Sequence, residues 1–244
     1  MMSVDGSAKI PGRESLSNHF SIFRFNLLPM LSRRWQNEIL NSTARYGKYG
    51  CLNGGSVTSR QREFESTAND IVGVSIGTLV PFEIPWLYKL YKVNILQLAN
   101  KLGTGRYKVA NDIRSAININ ILPPGSQYEW HVDSNPLTGL LFVTDHATGG
   151  GGELLFRPDP RARPTEDWEL VIAPRSGDLL LFDAREAAHT VLPVPGPMQR
   201  ISVPMNYYYA DVSCQRPEDL DHYLYSSRVL NGRTGVFSAA DKAH

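Results

Sequence analysis

The stretch "QYEWHVDSNPLTGLLFVT", residues 127–144, decides how the chain is read. Two apolar, strand-like runs flank His131-Val132-Asp133. Residues two apart on a strand point to the same face, so the imidazole and the carboxylate project together. Burying an unpaired charge is costly. Either this strand is solvated, or something cationic lies against it. Alone the pair is a weak signal, because so short a motif recurs by chance. A solvated strand end with a turn-capping aspartate would look the same.

The same period-two pattern extends outward. Short apolar runs separated by Pro, Gly and Asp occur at 113–121, 127–133, 138–144, 152–157, 168–173, 178–183, 188–194 and 199–209. Such a series predicts a mainly β protein with a closed or double-sheet architecture. Upstream the period is helical. "LLPMLSRRWQNEILNSTARYG" (27–47) ends at a glycine, and "PWLYKLYKVNILQLANKLG" (85–103) starts at a proline and ends at a glycine. Both predict amphipathic helices that pack on a sheet, with the polar "NGGSVTSRQREFES" (53–66) as a loop between them. The expected organisation is a polar lead over 1–20 and a single domain over 21–212. Within it, helical support occupies 21–112 and a β core 113–212, and a less hydrophobic extension follows over 213–244.

Bulk properties narrow the function. The 244 residues carry 25 basic against 24 acidic side chains, net +1, so no strong field invites nucleic acid or an anionic membrane. The first twenty residues lack the apolar segment of a secretory signal, and no run approaches the ~20 apolar residues of a membrane span. Cys51 and Cys214 lie far apart and match no zinc spacing. Reduced thiols and a cytoplasmic location are expected. The expected partner is a small molecule, with no nucleic acid and no membrane; nothing in the pattern encodes an oligomeric state.

Two further residues raise the weight of the opening pair. His189 lies in "AAHTVLPV" (187–194), just after the buried-looking run "GDLLLF". With His131 and Asp133 it completes a 2-His-1-carboxylate set, the facial arrangement that leaves positions open on a non-heme iron. Downstream, "MQRISVPMNYYY" (198–209) puts Arg200 inside an apolar, aromatic strand, with Ser202 on the same face. An arginine there either snorkels from a strand edge or is a buried fork that awaits a carboxylate.

In order and spacing, His131-x-Asp133, "GGGGELLFRP", "PRSGDLLLF", His189 and Arg200-x-Ser202 resemble the Fe(II)/2-oxoglutarate-dependent oxygenases. "PPGSQYEWHVDSNP" is similar to the loop and metal strand of their prolyl-hydroxylase-like branch. The resemblance covers about residues 113–209. It implies a double-stranded β-helix (jelly roll) with N-terminal buttressing helices. It implies His131, Asp133 and His189 as Fe(II) ligands, and Arg200 and Ser202 on the distal carboxylate of 2-oxoglutarate. It also implies a dioxygenase that hydroxylates or otherwise oxidises a substrate with O2, releasing succinate and CO2, with ascorbate as a stimulant. Related halogenases have a small residue in place of the aspartate, so Asp133 points to hydroxylation or another oxidation.

Some positions depart from the family or remain open. A clamp tyrosine on the third strand of many prolyl-hydroxylase-like enzymes is matched by Phe142, which has no donor. Thr138, on the same strand parity, is the expected substitute. Asn118 and Asn120 share a face; they either line a half-solvated strand or contact the cosubstrate or the substrate. By parity Tyr128 and Trp130 face away from His131, which predicts core packing over substrate stacking; Gln127 and Glu129 share its face and either line the pocket or begin a solvated strand. "TGGGGE" (148–153) reads as a glycine turn into the next strand, because no phosphate-binding Lys-Ser/Thr follows. The nucleic-acid demethylases of the family carry a second arginine where Asn206 stands here. His19, His146, His222 and His244 are expected to be solvated. A free small molecule such as an amino acid or natural-product intermediate is the expected substrate, with a peptidyl side chain as alternative. A jelly-roll binding protein without turnover is the remaining reading.

Overall fold

The computed structural model describes residues 13–51, 71–75, 79–102, 104–111, 113–133, 135–160 and 163–212. The extension over 213–244, Cys214, His222 and His244 lie outside the described residues.

In chain order the elements are β1 (Glu14–Ser15), β2 (Ile22–Asn26), a 3-10 turn (Leu28–Met30), α1 (Trp35–Tyr46), β3 (Lys48–Cys51) and β4 (Ile71–Ser75). A helical stretch follows as α2 (Val80–Glu83), α3 (Pro85–Lys89), a π-helical segment (Leu90–Ile95) and α4 (Leu96–Lys101). Then come β5 (Tyr107–Val109), α5 (Ile113–Ala116), β6 (Ile119–Leu122), β7 (Tyr128–His131) and β8 (Leu137–Phe142). The chain continues through β9 (Leu154–Pro158), β10 (Leu170–Ile172), β11 (Asp178–Phe182), β12 (Ala187–Val191) and β13 (Arg200–Tyr209). Pairing is antiparallel throughout. The larger sheet runs β1-β2-β11-β8-β13-β6-β4-β3 with β5 also on β13, and the smaller runs β10-β9-β12-β7.

Alternation along the strands builds two cores. The inner face of the larger sheet offers Ile22, Leu180, Phe182, Leu140, Phe142 and Leu122. It meets Leu154, Phe156, Ile172, Ala187 and Val191 of the smaller sheet. This is the jelly roll. Residues one step out of phase, among them Phe25, Leu141, Leu179, Val203 and Met205, face the helices and pack on Trp35, Ile39, Leu87, Tyr91 and Ile95. A fully buried side chain such as Ile39 contributes about 1.5–3 kcal/mol. The Tyr207 hydroxyl donates to the Tyr91 carbonyl at 3.0 Å, tying β13 to the π segment.

Three expectations need correction. The 27–47 helix is shorter: Pro29 opens a single 3-10 turn, Leu31 is extended, and the helix proper begins at Trp35. It does stop at Gly47, where a Cβ would lie 2.5 Å from the Thr43 oxygen and 2.7 Å from Ile121 Cδ1, so the fit there requires glycine. The run 113–121 is not one strand. Arg114-Ser115-Ala116 lack period-two alternation and form helical turn α5, and pairing begins only with the Ile117–Met205 bridge. Ahead of residue 113 the chain supplies strands as well as helices. β2 lies between β1 and β11 in the larger sheet, with Ile22, Phe23 and Phe25 buried, Arg24 half-buried and Asn26 exposed.

Candidate functional site

Three metal-type ligands converge in the smaller sheet. His131 ends β7, His189 sits mid-β12, and the two are directly paired in register. Asp133 lies just past β7, where its backbone N–H donates to the Ala184 carbonyl at 2.9 Å. One ligand atom from each residue falls within 4.8 Å of the others. His131 Nε2 is 3.7 Å from Asp133 Oδ1, and His189 Nε2 is 3.9 Å from Asp133 Oδ2. Those separations are too long for hydrogen bonds. They suit donors arranged around a shared cation.

The surroundings set the ligands' orientation. His189 Nδ1 lies 3.3 Å from the Ala187 carbonyl, so a proton there leaves Nε2 as the lone-pair donor. The Thr138 hydroxyl donates to Asp133 Oδ2 at 3.1 Å and accepts from Asn135 Nδ2 at 2.8 Å. Phe156 and Phe182 enclose the His189 ring, each with its centroid 5.6 Å away. Two imidazoles and a carboxylate on one side, with apolar walls around them, fit a divalent iron with open positions.

Arg200 faces the same interior from the larger sheet. Its side chain is among the most buried of the molecule, at 2% exposure. Nε donates to the Gly152 carbonyl at 2.9 Å and Nη1 to Ser202 Oγ at 3.2 Å. Nη2 is buried and has no partner among the described residues. Burial pulls the guanidinium down to about 10, with Tyr128 the neighbour that opposes the shift, and it remains cationic at neutral pH. A buried charged fork with one unused donor suits an anionic group on a ligand.

The remaining candidates divide. In register, Phe142, Ser202 and Asn120 form a row across β8, β13 and β6, so Asn120 lies beside Ser202. Asn118 is buried, and its backbone N–H donates to the Pro204 carbonyl at 3.2 Å. Thr138 is engaged with Asp133 and pairs with Asn206, four residues along β8 from Phe142; the structure places it at the metal set. Asn135, which orients Thr138, was not singled out from the sequence. Its only signal is a buried amide in a turn before proline.

Two side chains do not lie where parity or composition put them. Tyr128 faces inward, packed on the inner core, its ring centroid 6.1 Å from that of His131. The register explains it. His189 pairs with His131 but Val191 pairs with Tyr128, so β7 holds an extra residue and bulges, bringing positions three apart onto one face. Trp130 lies on the outer face with the Arg157 guanidinium 4.0 Å over its ring. His146 is buried at 7% exposure, covered by the Gly151-Gly152 turn. Burial and the nearby Arg200 lower its affinity for a proton. His19 is exposed, stacked on Trp168. The glycine run is a turn as expected, with Gly149, Gly151 and Gly152 at positive φ.

Comparison with known proteins agrees with this arrangement. No curated protein matches the chain in sequence. Among solved structures, a 2OG-Fe(II) oxygenase family oxidoreductase from Burkholderia pseudomallei is 17% identical with a TM-score of 0.54, covering 77% of this chain and 84% of that one. AviO1 from Streptomyces viridochromogenes Tue57 is 14% identical with a TM-score of 0.57 over 88% and 100%. SnoK, a non-heme alpha-ketoglutarate-dependent carbocyclase from nogalamycin biosynthesis, is 16% identical with a TM-score of 0.58 over 86% and 87%. These likenesses establish a shared fold. The sequence profile of the 2OG-Fe(II) oxygenase superfamily matches residues 117–208, the span that carries all three metal-type ligands and Arg200. Over residues 117–208 the chain is similar to the 2OG-Fe(II) oxygenase superfamily, and the His131–Asp133–His189 set lies inside the matched span.

Proposed function

We propose that this oxygenase hydroxylates, or otherwise oxidises, a free small molecule such as an amino acid or natural-product intermediate. The observation that carries the reaction is the meeting of the His131–Asp133–His189 set with the unused Nη2 of Arg200 inside one jelly roll. In this reading the three ligands hold Fe(II). Arg200, supported by Ser202 and by the Gly152 carbonyl, holds the distal carboxylate of 2-oxoglutarate. When bound, the iron and cosubstrate supply oxidation by O2 coupled to release of succinate and CO2. The protein orients both carboxylates and excludes water with Phe142, Phe156 and Phe182. Asp133, fixed by Thr138, completes the ligand set that favours oxygen insertion over halogenation.

Support for a small substrate is the composition of the described chain, one jelly roll and its helical support with a net charge of +1. That charge and Asn206 at the demethylases' second arginine position disfavour nucleic acid. No helix among the described residues is long and apolar enough to cross a membrane. The cysteine usage supports a cytoplasmic setting.

The test is succinate release by iron-loaded protein across a metabolite panel and a peptide panel. Stimulation by metabolites and not by peptides is expected. Stimulation confined to peptides overturns the substrate class in favour of a peptidyl side chain.

A further inference from the structure

His131 and His189 stand on strands that pair with each other, whereas Asp133 lies in the loop after β7, outside the sheet ladder. Its backbone is tied to the β11–β12 connection through the Ala184 carbonyl. Its side chain needs a separate anchor, and the larger sheet provides one. Thr138, set in β8 between Phe182 and Asn206, is buried and donates to Asp133 Oδ2 at 3.1 Å. The direction of that bond is fixed from behind. Asn135 is buried too, and one atom of its amide faces both the Leu137 carbonyl at 2.9 Å and Thr138 Oγ at 2.8 Å. A carbonyl oxygen only accepts, so that atom is the nitrogen, and the orientation of the amide follows. The nitrogen also donates to Thr138 Oγ, which turns the hydroxyl proton away from Asn135 and onto Asp133. The Leu137 main chain thus sets the polarity of a relay that ends at a metal-type ligand.

We propose that Thr138 and Asn135 are positioning residues of the metal centre, holding Oδ2 so that Asp133 offers Oδ1 alone to the cation. The inference rests on the metal reading of the His131–Asp133–His189 set. A carboxylate bound through both oxygens would occupy a further coordination position, and a facial set works by leaving positions open. A hydrogen bond to one oxygen fixes the carboxylate plane and makes that oxygen the poorer ligand. Asn135 acts only through Thr138, by aiming its hydroxyl.

The test uses Co(II), an air-stable stand-in for Fe(II), added to the chelator-stripped full chain. Two quantities are read: the half-saturating Co(II) concentration, and the infrared difference on adding Co(II) to protein carrying isotope-labelled aspartate. A carboxylate bound through one oxygen splits its two stretching bands widely, and one bound through both splits them narrowly. The wild type is expected to show the wide splitting. In Thr138→Val, which keeps the shape and loses the hydroxyl, the splitting should narrow and the half-saturating concentration rise about tenfold. Thr138→Ser should restore both. Asn135→Asp, which puts an acceptor where the donor was, should draw the proton off Asp133 and reproduce the valine spectrum, adding nothing in the double variant. Narrow splitting in the wild type, unchanged splitting in Thr138→Val, or a serine variant that behaves like valine overturns the role of the hydroxyl. Asn135→Asp indistinguishable from wild type overturns the role of Asn135. A wild type whose Co(II) affinity is not lowered by His131→Ala overturns the metal reading, and this inference with it.

Discussion

Arg200 carries a full charge into an apolar interior, where every retained hydrogen bond acts at low dielectric. Removing the group should therefore be felt by the ligand more than by the fold. Arg200→Ala is expected to raise the half-saturating 2-oxoglutarate concentration roughly 30-fold or more, equivalent to about 2 kcal/mol, read in succinate-release kinetics. Arg200→Lys recovers part of this, since an ammonium gives charge without the fork. At the metal set the expectation is absolute: His131→Ala or His189→Ala removes a ligand and should abolish turnover that Fe(II) restores in chelator-stripped wild type. His146 makes a different prediction. Its folded form resists protonation, so the unfolded chain takes up the proton first as pH falls below the ordinary 6.5. The stability tied to its neutral form is complete above that value and is lost on acidification. Urea unfolding of metal-free protein at pH 7 and pH 5 should show a smaller acid loss in His146→Gln than in the wild type, with His131 and His189 common to both.

At the scale of elements, the turn before β9 and the bulge in β7 do more than connect strands. Gly152 sits at φ +78°, its carbonyl accepts from Arg200 Nε, and an added Cβ would lie 3.2 Å from the His146 ring. Gly149 has a similar φ of +74° and open space around it. Gly152→Ala should therefore destabilise by about 1–3 kcal/mol, more than Gly149→Ala, in paired urea titrations, and it alone should weaken 2-oxoglutarate binding. The elements also show what the sequence could carry. The β runs from residue 113 were legible, the first of them only in its second half at β6, because a sheet with one face in the core and the other on helices still punctuates its strands with Pro, Gly and Asp. The His131–Asp133–His189 set was legible because ligand types are chemically scarce. The β7 bulge was not, since it is fixed by how β12 pairs with β7, and parity counted along one strand misassigned Tyr128. Thr138 lay on the expected face but serves Asp133, a choice made by the fold of the 133–138 turn and not by alternation.

For the whole molecule, the helices and the chemistry are on opposite faces of the larger sheet. Ile39 and Leu87 are fully buried in the outer core, away from the ligand-lined interior. Leu87→Ala should cost about 2–5 kcal/mol of stability, measured by thermal or urea unfolding. Turnover per folded molecule should remain near wild type at temperatures where the variant is still folded. A loss of specific activity matching a metal-ligand variant would mean that the buttress also sets the site.

The division of labour between the sheets reaches further. All three metal-type ligands belong to β7, β12 and the loop after β7, while Arg200 belongs to β13 on the opposite wall. A dicarboxylic acid gripped at both ends becomes a strut, and spreading the two walls would require tearing its grip. Iron and 2-oxoglutarate together should then raise the melting temperature by more than their separate increments, whereas a monocarboxylic 2-oxo acid, moored at one end, should leave the walls as free to part as iron alone does.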